Sequence, residues 1–346
     1  MSSIPAPFPR ETDQRGSFVR QPSRFLDHVC PNGTTNYPAE AGRYVLYVSY
    51  ACPWAHRTII LRRLKRLEDV VPMVVVNPYR DERGWGFGDP VGSETEPHEG
   101  FRFLSEAYAI ADPTYDGRMT VPTMWDLQTR TIVCNESALV MRMLDKAFDA
   151  FTDVRLDLRP EMLIPELDAL EERIYDAVNN GVYRCGFAIT QEAYDEAVAA
   201  LFGMLDELDE RLATRRYLMG PAITEVDWRL FTTLIRFDPI YVGHFKTNIR
   251  RIADYANLGP YLRDLYQQPG IAETVRIDEI KIHYYTTHPQ LNPSRIIPAG
   301  PALDWDRPHD RERLVEEKRK PRRSGAFNRA DDGARTHDLR HGKATL

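Results

Sequence analysis

The chain has 346 residues, 42% of them hydrophobic and 28% charged, the composition of a globular protein with room for two domains. Its four cysteines, Cys30, Cys52, Cys134 and Cys185, are too few and too scattered for a disulfide framework or a zinc site, so no metal and a reducing compartment are expected. The formal charge of −6 divides unevenly: residues 306–346 hold 12 Lys and Arg against 8 Asp and Glu, which leaves −10 on the first 305 and excludes nucleic acid as a partner of the folded body.

The first residues, MSSIPAPFPRETDQRGSF, carry no apolar run behind a basic stretch, and they read with the rest of 1–42 as an N-terminal extension. No run of about 18 apolar residues follows anywhere, so neither export nor a membrane is indicated, and a cytoplasmic protein is expected. Residues 43–50 (RYVLYVSY) predict a strand, Ala-Cys-Pro a tight turn, and residues 54–67 a helix with apolar Ile60, Leu61, Leu64 and Leu67. A buried strand over 73–76 comes next, then a long connection, 77–118, containing the glycine-rich GWGFG of 84–88. A connection of that length implies small elements of its own or a function.

Short strands over 123–126 and 131–134 precede a helix that opens at Asn135-Glu136-Ser137, which completes one small α/β domain over 43–148. From Arg159 onward strand signals vanish, and residues 149–303 read as a second domain. Helical periodicity over 161–180, 191–214 and 224–237 predicts an all-α second domain, with Thr224 and Asp227 spaced as a capping box. Pro289, Pro293, Pro298 and Pro301 mark an extended segment at its end. Residues 304–346, charged and poor in aliphatics, predict disorder.

Cys52 is the candidate nucleophile. It ends a strand and precedes Pro53, which suits the first helical position because its missing N–H has no intrahelical partner to lose. The free amides and dipole of that first turn favour an anion, so the thiol is expected to ionise readily. Ala55 stands where a dithiol enzyme would place a second cysteine, so a mixed disulfide at Cys52 must be resolved by an outside thiol. Val121-Pro122, just before a strand, resembles the cis-proline of the thioredoxin fold and would let a tripeptide such as glutathione pair with the Val121 main chain. Glu136 and Ser137 open the next helix, where a hydroxyl and free amides can hold a carboxylate and the Glu an ammonium. Glutathione carries both groups at its γ-glutamyl end. Cys134 and Cys185 read as small apolar packing residues.

Longer stretches, namely YACPWAHRT (50–58), GWGF (84–87), RMTVPTMWD (118–126), NESA (135–138), NGVYRCGFA (180–188), YVGHFKTN (241–248) and KIHYYTTHPQLNPSRIIPAGP (281–301), resemble the glutathionyl-hydroquinone reductases. These are the xi class of the glutathione transferase superfamily, on its omega-like branch. The resemblance implies a glutathione transferase fold, an α/β thioredoxin-like domain plus an all-α domain, and a homodimer. It also implies glutathione as co-substrate, lying against Trp85, Arg118, Met119, Thr120, Val121, Glu136 and Ser137. Tyr183 becomes the proton donor by resemblance. Tyr241 and Tyr284, with Tyr285 as the alternative one register on, resemble the tyrosines that favour the cysteine's ionised form. The implied reaction is glutathione-dependent reduction of glutathionyl-hydroquinones through a Cys52-glutathione mixed disulfide. An omega-like transferase reducing dehydroascorbate or deglutathionylating proteins is the alternative, and a non-catalytic interaction module of the same fold is the reading from another class.

Overall fold

The computed structural model describes residues 9–88 and 95–315. Strand β1 (Tyr44–Val48) is buried at all five positions because it lies inside the sheet, paired on both edges, which is why its sequence is an unbroken apolar run. It runs parallel to β2 (Met73–Val75) and antiparallel to β3 (Thr123–Asp126), which pairs in turn with β4 (Thr131–Cys134). The order is β2-β1-β3-β4, with Leu46 opposite both Met73 and Met124.

Helix α1 (Pro53–Leu64) crosses from β1 to β2 and α3 (Ser137–Lys146) follows β4, and the two pack together. The long connection does contain an element of its own: α2 (Leu104–Ala111), which packs on β4. The extension is partly built into this domain. Leu26 bridges Cys134 on the outer side of β4, and Phe25 exchanges hydrogen bonds with Asn135, so an open sheet edge is covered. Residues 1–8 lie outside the described residues.

The second domain is helical as expected. Helix α4 (Ile164–Ile174) runs through a π turn, Tyr175–Asn179, into α5 (Gly181–Phe187). Helix α6 (Gln191–Leu212) follows, then α7 (Glu225–Arg236), which is buried along its whole length and opens with the expected capping box: Asp227 accepts from both the amide and the hydroxyl of Thr224 at 2.8 Å. A second π turn, Phe237–Tyr241, leads into α8 (Val242–His244), and α9 (Leu258–Tyr266) and α10 (Ile277–Thr287) complete the set. Such turns widen the backbone and recur at functional sites. Here they precede Tyr183 and end on Tyr241.

The expectation of disorder from 304 fails for residues 304–315. Trp305 packs on Tyr266 with ring centroids 5.3 Å apart, Leu314 is buried, and the buried Arg311 donates to the carbonyls of Leu212, Arg215 and Arg216 at the end of α6. Composition underestimates such a segment because its main anchor is a cation filling a nest of helix-terminal carbonyls rather than aliphatic area. Residues 316–346 lie outside the described residues.

Candidate active site

Cys52 is the N-cap of α1, with extended φ and ψ of −80° and 120°, and its thiol donates to the Val121 carbonyl at 3.4 Å. The Val121-Pro122 bond is cis. The loop that carries it is held by Tyr108, whose hydroxyl donates to the Thr120 carbonyl at 2.9 Å and accepts from the Thr120 amide at 3.1 Å. On the other side of Cys52, Arg236 of α7 donates to the carbonyls of Tyr50 (2.7 Å) and Ala51 (3.0 Å), and to Nδ1 of His56 (3.0 Å). His56 Nδ1 is therefore the acceptor, and its protonated Nε2 donates to Thr274 Oγ1 at 2.8 Å. Two domains thus hold one turn.

Two clefts adjoin here, sharing Arg20, Trp54, Arg118, Thr120 and Val121, and Cys52 lines the second. The first is lined by Arg118, Thr120, Val121, Glu136 and Ser137, the residues expected to hold glutathione, together with Gln21, Pro22 and Ser23 of the extension. Glu136 is the N-cap of α3, accepting from the Ala138 amide (3.3 Å) and from the Ser23 hydroxyl (2.9 Å). Arg57, buried and pushed down to about 9 by that burial and by Arg229, donates to Ser137 Oγ at 3.3 Å. Met119 is half-buried and lines neither cleft.

The second cleft brings Cys52, Trp85, Tyr183, Tyr284, His283 and Arg80 together. Tyr183 and Tyr284 share a hydrogen bond of 2.6 Å, and Tyr284 meets Tyr241 at 3.0 Å. Burial drives all three phenols upward, and the Cys52 charge adds to the rise at Tyr183, so all remain protonated. Tyr241 sits behind Tyr284, away from the cleft wall. Tyr285 faces elsewhere, donating to the Pro239 carbonyl at 3.1 Å with its ring against His244. Trp85 stacks on His283 with centroids 4.9 Å apart, and burial followed by the charge of Arg80 presses that imidazole down to about 3.

Over 304 residues the chain is 50% identical to the glutathionyl-hydroquinone reductase YqjG of Escherichia coli, covering 86% of this chain and 93% of that protein. The solved structure of a Xi class glutathione transferase from Natrialba magadii superposes with a TM-score of 0.82 at 51% identity, over 84% of this chain and 89% of that one. This chain belongs to the glutathionyl-hydroquinone reductases, the Xi class of glutathione transferases. Residues 51–147 match "Glutathione S-transferase, N-terminal domain" and residues 191–264 match "Glutathione S-transferase, C-terminal domain". The glutathione-bound structure of the Escherichia coli relative gives a TM-score of 0.81 over 84% of this chain and 96% of that one. The glutathionyl-hydroquinone reductase PcpF of Sphingobium chlorophenolicum is 46% identical over 289 residues, 83% of this chain and 90% of that protein.

In this Xi-class transferase three arginines beside Cys52 and Tyr183 escaped the sequence reading, as did Arg57 beside Ser137. Arg20 comes from the extension: its guanidinium lies 4.9 Å from the Trp54 ring and 4.8 Å from the Tyr183 ring, and it donates to Asn180 Oδ1 at 3.0 Å. Arg80 lies over Trp85 at 5.5 Å, and Arg236 clamps the Cys52 turn from the far domain. Lone arginines in irregular segments leave no periodic signal; of the three, only Arg236, ending an amphipathic helix, had a placeable address. Cys134 and Cys185 are buried and pushed up to about 12, as packing residues would be. Among the described residues no group of three or more His, Cys, Asp or Glu is placed to hold a metal ion, and no helix is long and apolar enough to cross a membrane.

Proposed function

We propose that this enzyme reduces glutathionyl-hydroquinones to hydroquinones at the expense of glutathione, with Cys52 as the nucleophile. The observation that carries the chemistry is the position of the Cys52 sulfur. It stands at the start of α1 against the Val121 carbonyl, in a cleft that Tyr183 and Tyr284 also line, with Tyr241 hydrogen-bonded behind them. Glutathione lies along the first cleft, its main chain beside Val121 and its γ-glutamyl end at Glu136 and Ser137, where the first turn of α3 offers free amides. Trp85 and Arg118 border the peptide.

In the first half-reaction the Cys52 thiolate attacks the glutathionyl sulfur of the substrate. A sulfur–sulfur bond forms, the ring carbon–sulfur bond breaks, and Tyr183 supplies the proton taken by the ring carbon. Tyr284 and Tyr241 support Tyr183 and favour the charged sulfur. In the second half-reaction the thiolate of a second glutathione attacks the mixed disulfide, releasing oxidised glutathione and restoring Cys52. The proton lost by that glutathione replaces the one delivered to the ring, so the cycle balances.

The protein works in the cytoplasm as a homodimer. Relatives described as glutathione S-transferases omega-like, one of them 44% identical, accord with the second reading, an omega-like glutathione transferase working through the same sulfur. Hydroquinone release from a glutathionyl-hydroquinone and glutathione, measured for the wild type and Cys52→Ala, tests the assignment. The variant is expected to fall to the uncatalysed rate, and equal turnover by both proteins ends the proposal.

A further inference from the structure

Three arginines border the second cleft, and two are already occupied. Arg118 is paired with the buried Glu11 at 3.0 Å, and Arg20 is stacked between Trp54 and Tyr183 while donating to Asn180. Arg80 differs. It is half-buried and lies over the face of Trp85, yet among the described residues no carboxylate, carbonyl or hydroxyl takes a hydrogen bond from its guanidinium. A cation brought out of bulk water without an anion or acceptor is costly unless something else supplies one. The same cleft wall holds the Cys52 sulfur, the Tyr183 and Tyr284 hydroxyls and the neutral His283. None of the lining residues is a carboxylate; the charges that favour the Arg80 cation are those of the Cys52 thiolate and of Glu11, the latter already paired with Arg118.

The reaction proposed above creates an anion in that place. When the ring carbon takes its proton from Tyr183 before the carbon–sulfur bond breaks, the hydroxyl beside that bond gives its own proton to water and the ring stands as its keto tautomer. Attack by the Cys52 thiolate then forms the sulfur–sulfur bond, and the electron pair of the breaking carbon–sulfur bond runs through the ring onto that oxygen. The quinol leaves as a phenolate and takes its proton from water. Resting on the proposed reductase function, we infer that Arg80 is the oxyanion-stabilising catalytic residue for the quinol half of the substrate, its guanidinium donating to the ring oxygen beside the breaking carbon–sulfur bond. Arg80 thereby fixes the substrate class: a thioether on a ring carbon flanked by a hydroxyl. A fixed donor aimed at charge that develops only in the transition state is the arrangement that lowers a barrier most efficiently.

The two half-reactions separate this role from any service to the sulfur or to glutathione, because only the first contains a ring. For Arg80→Met, the single-turnover burst of hydroquinone from a glutathionyl-hydroquinone is expected to fall by ~100-fold, the usual effect of removing one such donor. Resolution of the preformed Cys52-glutathione disulfide by glutathione is expected to stay within ~3-fold of wild type, which also shows that the variant is folded. Arg80→Lys should recover part of the burst. A substrate methylated on the neighbouring hydroxyl cannot form the phenolate, so it should be slow with wild type and no slower with Arg80→Met. Equal losses in both half-reactions, a raised glutathione KM in the second, or an unchanged burst would each overturn the assignment. Failure of the wild type to give any burst or Cys52 adduct would instead remove the reductase function itself.

Discussion

Replacing Tyr284 by Phe deletes one oxygen that joins two others. The Tyr284 hydroxyl meets that of Tyr183 at 2.6 Å and that of Tyr241 at 3.0 Å, and the Tyr284 and Tyr241 side chains are essentially inaccessible. Tyr183 borders the cleft, so water can replace its lost partner. Tyr241 cannot be reached by water, and the loss of its 3.0 Å partner leaves it only its interaction with Tyr183, at a cost of about 1–3 kcal/mol of stability. Tyr285→Phe removes only a hydrogen bond to the Pro239 carbonyl, worth about 1 kcal/mol, and nothing at the sulfur. The activities should diverge more sharply than the stabilities. General acid catalysis typically contributes ~10²–10⁴-fold, and an unsupported Tyr183 should forfeit much of it, so Tyr284→Phe is expected to slow the hydroquinone burst by about 10²-fold while Tyr285→Phe leaves it near wild type. Urea titration and stopped-flow bursts on both variants measure the two effects. A Tyr284→Phe enzyme as fast as Tyr285→Phe would refute the role given to the phenol chain.

Two further outcomes follow from buried groups around the site. A Cβ added at Gly186 would lie 2.3 Å from Cγ and Cδ1 of Phe245, whose ring packs on Tyr183, Tyr241 and Tyr284 with centroids 5.5, 5.3 and 5.8 Å away. Gly186→Ala should therefore cost about 1–3 kcal/mol in urea unfolding and lower turnover with it, and wild-type behaviour would show that the ring cluster yields freely. Burial depresses His56, His244, His283 and His288, the second to about 4 and the third to about 3, while the unfolded chain binds protons near the ordinary value of 6.5. Their contribution to stability is complete above that value and is lost as pH falls, so the unfolding free energy should drop between pH 6.5 and 5 by up to about 1.4 kcal/mol per unit for each imidazole. A urea midpoint constant across that window would contradict the neutral buried state.

What the sequence made legible was whatever repeats or punctuates. The apolar run at 44–48, the Cys-Pro boundary of α1 and the Thr224–Asp227 cap each state a local rule that the fold obeys. The helix at 104–111 stayed hidden inside a long connection because eight residues give barely two turns of pattern. Tyr284 and Tyr285 were indistinguishable for a different reason. Adjacent positions on a helix point about 100° apart, and only the partners on α5, the second π turn and α8 decide which of them lines the cleft with Cys52. Glu11 and Arg20 lie in a stretch without helix or strand signals, and their work at the cleft is visible only once the extension is seen wrapped along Arg118 and Trp54.

The position of Arg236 shows why the two domains function as one body. The turn before Cys52 leaves the carbonyls of Tyr50 and Ala51 close to the sulfur, and carbonyl oxygens carry partial negative charge that would oppose a thiolate. Arg236, projecting from the end of the buried α7, donates to both, and its third contact fixes the His56 tautomer one turn along α1. The helical domain therefore does more than wall the quinol. It supplies the cation that neutralises the backbone beside the nucleophile as well as the phenols across from it, so the geometry of Cys52 depends on the packing between domains as much as on the thioredoxin-like fold that carries it.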